Sequence, residues 1–262
     1  MSEVRQTSRR ATLSARLGPR TVGLATAIGV IVLIEILIRI GIINRFIVPL
    51  PSQIVGALPR IIAEENVLHR FAQTMEELLW ASLLLALTGI ALGALLYRFR
   101  LLRAACETWV AALAAAPIVL MYPLFLVIFG RSATTIIMIG FAAGLAPVIL
   151  KTLEGLTRTR QVLIDVGRSF RLTPAQEFRK ILLPAALPSI FVGLRLGLIF
   201  AMINIVGVEF LINFGGLGQL INELAERYDL PATYGAICFV ILASIVFFDI
   251  TGRLERWLRP NE

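Results

Sequence analysis

Six apolar runs decide what this chain can fold into. They cover about Val22–Ile43, Leu78–Tyr97, Thr108–Phe129, Ala133–Leu150, Ser189–Ile212 and Ala232–Ile250. Each is close to the roughly 20 residues a helix needs to cross the hydrocarbon core of a bilayer. In that medium every backbone N–H and C=O must find a partner within the segment, so the runs are read as helices. Over 262 residues the chain is 58% hydrophobic with mean hydropathy +0.84, too apolar for a soluble domain of this size. The expected fold is all-α, with six transmembrane helices and a polar loop between helices four and five. Residues 1–20 and 259–262 are expected as polar tails around a transmembrane domain at 21–258. Val22–Ile43 is too long for a signal-peptide core and lacks a cleavage site after it, so it is read as a retained first helix.

The net charge of +8 comes from 23 Arg and 2 Lys against 17 acidic residues. In a soluble protein that balance suggests nucleic acid. In a membrane protein it is the charge that cytoplasmic loops collect, so no nucleic-acid partner is inferred. With six crossings, nineteen Lys and Arg fall on the side of the N-terminus and five on the other. Both termini, Arg98–Arg103 and the loop after Lys151 are therefore expected in the cytoplasm, and Asn44–Glu77 outside.

Few residues can carry chemistry. Cys106 and Cys238 are too scattered for a disulfide framework, and His69, the single histidine, has no neighbouring ligand for a metal. With one loop histidine, no Ser/His/Asp set is available. Neither lysine follows a glycine, so a phosphate-cradling GxxxxGK loop is absent. No cofactor is expected on this chain. Glu35 and Arg39 form an i,i+4 pair in helix one. Pro49-Leu50-Pro51-Ser52 reads as a turn and N-cap before an amphipathic helix to about Ala63. Gly89 and Gly93 make a GxxxG face for close helix contact. Pro117 and Pro123 are expected to kink helix three, and Gly140, Gly144 and Pro147 lie in helix four.

Between helices four and five lies a basic island, Asp165–Pro184, with the sequence DVGRSFRLTPAQEFRKILLP. Val162, Leu163, Val166 and Phe170 recur at helical spacing on a first short helix. Thr173-Pro174-Ala175-Gln176 reads as an N-cap, a first-turn proline and a capping box, which start a second helix. Pro184 is expected to end that helix, and Pro188 to delay the next. A compact helical knob of this kind is a docking surface by shape.

The island resembles the cytoplasmic "EAA loop" of importer-type ABC permeases. That pattern is Glu-Ala-Ala, three residues, Gly, nine residues, Ile, one residue, Leu-Pro. Here Asp165, Val166 and Gly167 stand at its start, Arg171 at its Gly position, and Ile181, Leu183 and Pro184 at its end. Arg171 is the notable departure, because a non-glycine residue resists φ > 0. About four fifths of the chain is similar to the branch serving aliphatic sulfonate, taurine, nitrate and thiamine-precursor import. Leu50-Pro51-Ser52, Pro117–Gly130, Gly193-Leu194-Arg195, Val208-Glu209 and Gly216-Leu217-Gly218 carry that resemblance.

The resemblance implies a permease subunit of an ATP-binding-cassette importer, not itself an enzyme. It also implies a homodimer in the lipid of the bacterial inner membrane and a periplasmic substrate-binding protein. Cytoplasmic ABC ATPase subunits would bring ATP and Mg and dock on the island, the coupling-helix loop. Near the outer end of helix five, Glu209 precedes Asn213, Gly215, Gly216 and Gly218. Its carboxylate either reaches the interface or bonds the backbone of Asn213–Gly218, or it holds an outer gate. An ion-coupled carrier or channel is the rival class. It would place ionisable groups mid-membrane, and helices two to four are nearly free of them.

Overall fold

The computed structural model describes residues 19–258, so nearly all of both expected tails lies outside it. Among these residues the chain is helical without strands. In chain order the helices are α1 (Pro19–Arg39), α2 (Pro51–Glu64), α3 (Val67–Arg98), α4 (Arg100–Ala115) and α5 (Tyr122–Phe129). Then come α6 (Ala133–Thr157), α7 (Gln161–Ser169), α8 (Pro174–Ile212), α9 (Gly216–Glu226) and α10 (Leu230–Leu258). Five are long and apolar enough to cross a membrane; α4 and α5, a bent pair, make a sixth if counted together.

The centre of the molecule is the crossing of α6 and α8. A Cβ on Gly144 would lie 2.5 Å from the Gly197 carbonyl oxygen, and one on Gly197 2.9 Å from that of Gly144. Two backbones in contact leave room for no side chain, which is how small residues bring membrane helices together. Ile136, Ile139, Val148, Met202, Ile205 and Val208 fill the space around the crossing, with Leu78 and Leu85 of α3. The GxxxG face behaves as expected: Cβ atoms on Gly89 and Gly93 would meet Val148 Cγ1 at 2.7 Å and Thr152 Cβ at 2.6 Å, both on α6.

Four expectations are corrected. Helix two does not start at Leu78. Asn66 turns the chain at φ 51°, and α3 runs unbroken from Val67, widening to a π turn at Leu85–Gly89. Its first three turns, polar enough to pass for loop, are an amphipathic start that buries Val67, Thr74 and Glu77. Ser52 is not an N-cap, because Leu50 holds that position and Pro51 the first turn. Instead the Ser52 hydroxyl and amide donate to Glu35 at 2.9 and 3.1 Å, beside the Glu35–Arg39 pair. A carboxylate thus sits at the N-terminus of α2, where the helix dipole favours it.

Helix three is broken rather than kinked, its arms meeting at 91°. Pro117 forces Ala116 out of helical geometry, to ψ 134°. Pro123 falls in the first turn of α5, where its missing N–H costs nothing. Finally, neither Pro184 nor Pro188 interrupts α8, which continues from the island to Ile212. The π turn at Phe178–Leu182 lies directly before Pro184 and takes up the ring and its missing donor.

Candidate functional site

The island is built from α7, a reversal at Arg171, and the start of α8. Arg171 takes φ 50°; its N–H bonds Arg168 O at 2.9 Å and the N–H of Leu172 bonds Gly167 O at 3.1 Å. This pair of bonds is the Schellman ending of a helix, whose left-handed position usually holds glycine. The reversal forms with arginine in that place. Thr173 then caps α8 as expected: Thr173 N donates to Gln176 Oε1 at 2.9 Å, and Gln176 N to Thr173 Oγ1 at 3.4 Å.

Gly167 faces into the knob. A Cβ there would lie 2.5 Å from Ile181 Cδ1, so the two sequence-predicted residues meet each other across the island. The space that a small residue leaves at 167 is therefore filled from α8, within the island. Leu183 packs inward with Leu182 and Ala186, while Pro184 is exposed. Outward stand Val162, Leu163, Val166 and Phe170, the last 77% exposed. Asp165 is also exposed and accepts from Gln161 Nε2 at 3.1 Å. α7 therefore shows the surroundings an apolar stripe edged by charge.

At the far end of α8 lies a second constellation. α8 stops at Asn213, φ 51°, and Gly215 and Gly216 at φ 67° and 70° swing the chain into α9. The first amides of a helix have no partner within it. Here side chains from three helices supply them. Gly215 N donates to Gln219 Oε1, and Gly216 N to Gln73 Oε1 at 3.2 Å. Leu217 N donates to Thr74 Oγ1 at 3.0 Å, and Gly218 N to Glu209 Oε2 at 2.8 Å. The Thr74 hydroxyl in turn donates to Glu209 Oε1 at 2.7 Å. Glu209 is completely buried. It does not reach an interface; it bonds the backbone of the glycine segment. A Cβ on Gly216 would collide with the Glu209 carboxyl, and one on Gly218 with Val206 O.

The result is a latch joining α3, α8 and α9. Glu209, Asn213, Gly215, Gly216 and Gly218 come together as the sequence placed them. Gln73, Thr74 and Arg131 were missed. Arg131 Nε donates to Ile212 O at 2.8 Å and its Nη2 to Asn213 O, tying the turn before α6 to the end of α8. Glu77, one turn beyond Thr74, is buried beside Glu209 with its Oε2 unpartnered. The available signal was the helical spacing of Gln73, Thr74 and Glu77, legible only once α3 is started at Val67. Behind the latch, Ile61, Val67, Leu217, Leu220 and Leu224 form a separate apolar cluster that seats α9. Among the described residues no group of side chains is suited to hold a metal ion.

The family described as "Binding-protein-dependent transport system inner membrane component" matches residues 86–260. A permease protein of the glycine betaine/carnitine/choline transport system of Bacillus subtilis is 30% identical over 200 residues, 74% of this chain and 85% of that protein. A nitrate import permease protein of Leptolyngbya laminosa is 26% identical over 199 residues, 76% of this chain and 71% of that protein. An inward-facing structure of the MetNI methionine ABC transporter matches with TM-score 0.64 and 20% identity, over 72% of this chain and 94% of that one. That last likeness shows a shared fold.

Proposed function

Because the chain belongs to the binding-protein-dependent inner membrane transport components, we propose that the island and the latch are the two working ends of an ATP-binding-cassette importer permease. The island docks cytoplasmic ATPase subunits, which bind ATP and Mg. The latch closes the outer mouth of a path for a small solute handed over by a periplasmic binding protein. Two copies of the chain frame that path.

One observation carries this reading: α8 begins in the island and ends in the latch. Its 39 residues span about 58 Å at 1.5 Å per residue, and its middle is locked to α6 by backbone contact. Movement of the island by an ATPase pair is therefore delivered to the bonds of Glu209 as a rigid tilt. The latch is poised to respond, because its contacts are hydrogen bonds; the two made to the Glu209 carboxylate, from Gly218 N and the Thr74 hydroxyl, are each worth about 1.5–3 kcal/mol. The stripe Val162–Phe170 fits the docking role, since apolar side chains held outside a membrane and away from any core await a partner.

The test is Glu209→Gln in the reconstituted transporter with its ATPase and binding protein. Glutamine keeps the shape but cannot accept from both Thr74 and Gly218 through carboxylate oxygens. The expected outcome is faster basal ATP hydrolysis and uptake reduced by about tenfold or more. Wild-type uptake together with wild-type basal hydrolysis removes the gate from the reading.

A further inference from the structure

Beside the latch opens a cleft of about 490 Å³, within the range of small-molecule sites. Its polar walls carry Asn66, His69, Arg70, Gln73, Arg131 and Asn213, and no carboxylate is among its lining side chains. The two guanidiniums are used differently. Arg70 bonds Glu223 Oε2 at 2.7 Å, and that carboxylate also accepts from Gln219 Nε2 at 2.7 Å. Arg131 has no carboxylate partner among the described residues. Its bonds go to two backbone carbonyls, and its ring-facing neighbour is Phe214 at 5.9 Å. A carbonyl accepts a hydrogen bond but does not cancel the charge, so the cleft keeps one uncompensated cation on an exposed side chain. The side-chain amides of Asn66 and Gln73 add N–H donors that reorient without a proton change.

We propose that this cleft receives the anionic group, carboxylate, sulfonate or nitrate-like, of the transported solute before it passes the latch, with Arg131 as its counter-charge. The proposal rests on the reading of the latch as the outer gate. A guanidinium offers a planar fork of donors that suits such oxyanions. It also joins binding to opening. An anion competes for the N–H groups that Arg131 now spends on Ile212 O and Asn213 O, so occupancy loosens the end of α8 where the gate is fastened. Asn213 Oδ1, buried and without a partner, is an acceptor left for a donor on the same solute.

The test uses the detergent-purified full-length chain, without ATPase or binding protein. Binding of radiolabelled methanesulfonate is compared with that of radiolabelled tetramethylammonium at fixed ionic strength. Saturable methanesulfonate binding is expected, with none for tetramethylammonium. Arg131→Gln weakens it by about tenfold or more, and Arg131→Lys, which keeps the charge but loses the fork, by a smaller factor. Because Arg131 also holds α8, Asn66→Asp is the second variant. It adds a carboxylate to the cleft without touching any Arg131 bond, and aspartate tolerates the left-handed backbone there. It should abolish binding, while Arg45→Gln, outside the cleft, binds as wild type. Equal binding of the cation, or methanesulfonate binding that survives Asn66→Asp, overturns the assignment. So does absent methanesulfonate binding by the wild-type chain; if a separate pull-down with the binding protein then loses capture in Asn66→Asp, the cleft belongs to an acidic side chain of that protein instead. Any of these failures leaves ATP-driven uptake, and its dependence on Glu209, as a separate question.

Discussion

Arg171 occupies a backbone conformation that disfavours any side chain, at a cost of roughly 1–2 kcal/mol. Nothing it touches among the described contacts offsets that. Arg171→Gly should relieve the strain, less the greater freedom glycine has when unfolded, for a net gain of about 0.5–1 kcal/mol. The measurement is hydrogen exchange at the Leu172 amide, which closes the reversal onto Gly167 O. Slower exchange is expected, and faster exchange would mean that Arg171 makes the turn. The spacing of the island showed where this reversal lies. It did not show that arginine adopts it, because local preference argues the other way and the packing of Gly167 on Ile181 overrides it. Glu209 was legible only in part: a carboxylate one turn before a glycine-rich segment can reach the interface or bond that backbone, and burial decides for the backbone. Its supports on α3 were hidden, since polarity alone does not separate an amphipathic helix start from a loop.

At the scale of elements, apolar length located the spans well and their breaks poorly. Two prolines six residues apart invite the same reading. Pro117 breaks the chain and Pro123 begins a helix, a distinction set by whether a turn of helix precedes each one. Pro117→Ala restores a backbone donor and frees Ala116 to be helical. The 91° bend between α4 and α5 should then open. Spin labels at Leu101 and Val127, 89% and 85% exposed, in a background free of Cys106 and Cys238, will report a longer distance. An unchanged distance would place the cause of the bend in packing on α6. The prolines of α8 misled in the opposite direction. A π turn is invisible to periodicity, and it is what lets Pro184 stand inside a continuous helix.

For the whole molecule, the count of positive charge by side proposes that the island faces the cytoplasm and the latch the outside. Single cysteines at Ser52 and Ser169, again without the native pair, should label from opposite faces of sealed cells. An impermeant maleimide added outside should reach position 52 only. Labelling of both would reverse or discard the proposed topology, and with it the assignment of ATPase and binding protein to their ends. The charge rule reads loops and says nothing of the space between helices, which is why the cleft beside Arg131 had no signature in the linear chain.

The widened turn at Leu85–Gly89 in α3 makes one position in this membrane protein forgiving of a lost residue. In a regular helix, deleting one residue turns everything beyond it by about 100° and faces the wrong side chains inward. A π turn already holds one residue more than the regular winding needs. Removing Leu87, which is 63% exposed, should let the turn wind down to ordinary helix while Leu78 and Gly93 keep their present faces. The shortened chain is expected to insert and to elute from size exclusion as the parent does. Deletion of Phe141 from the regular α6 should instead give aggregate. If both deletions aggregate alike, the extra residue is held in place by its surroundings and is no spare.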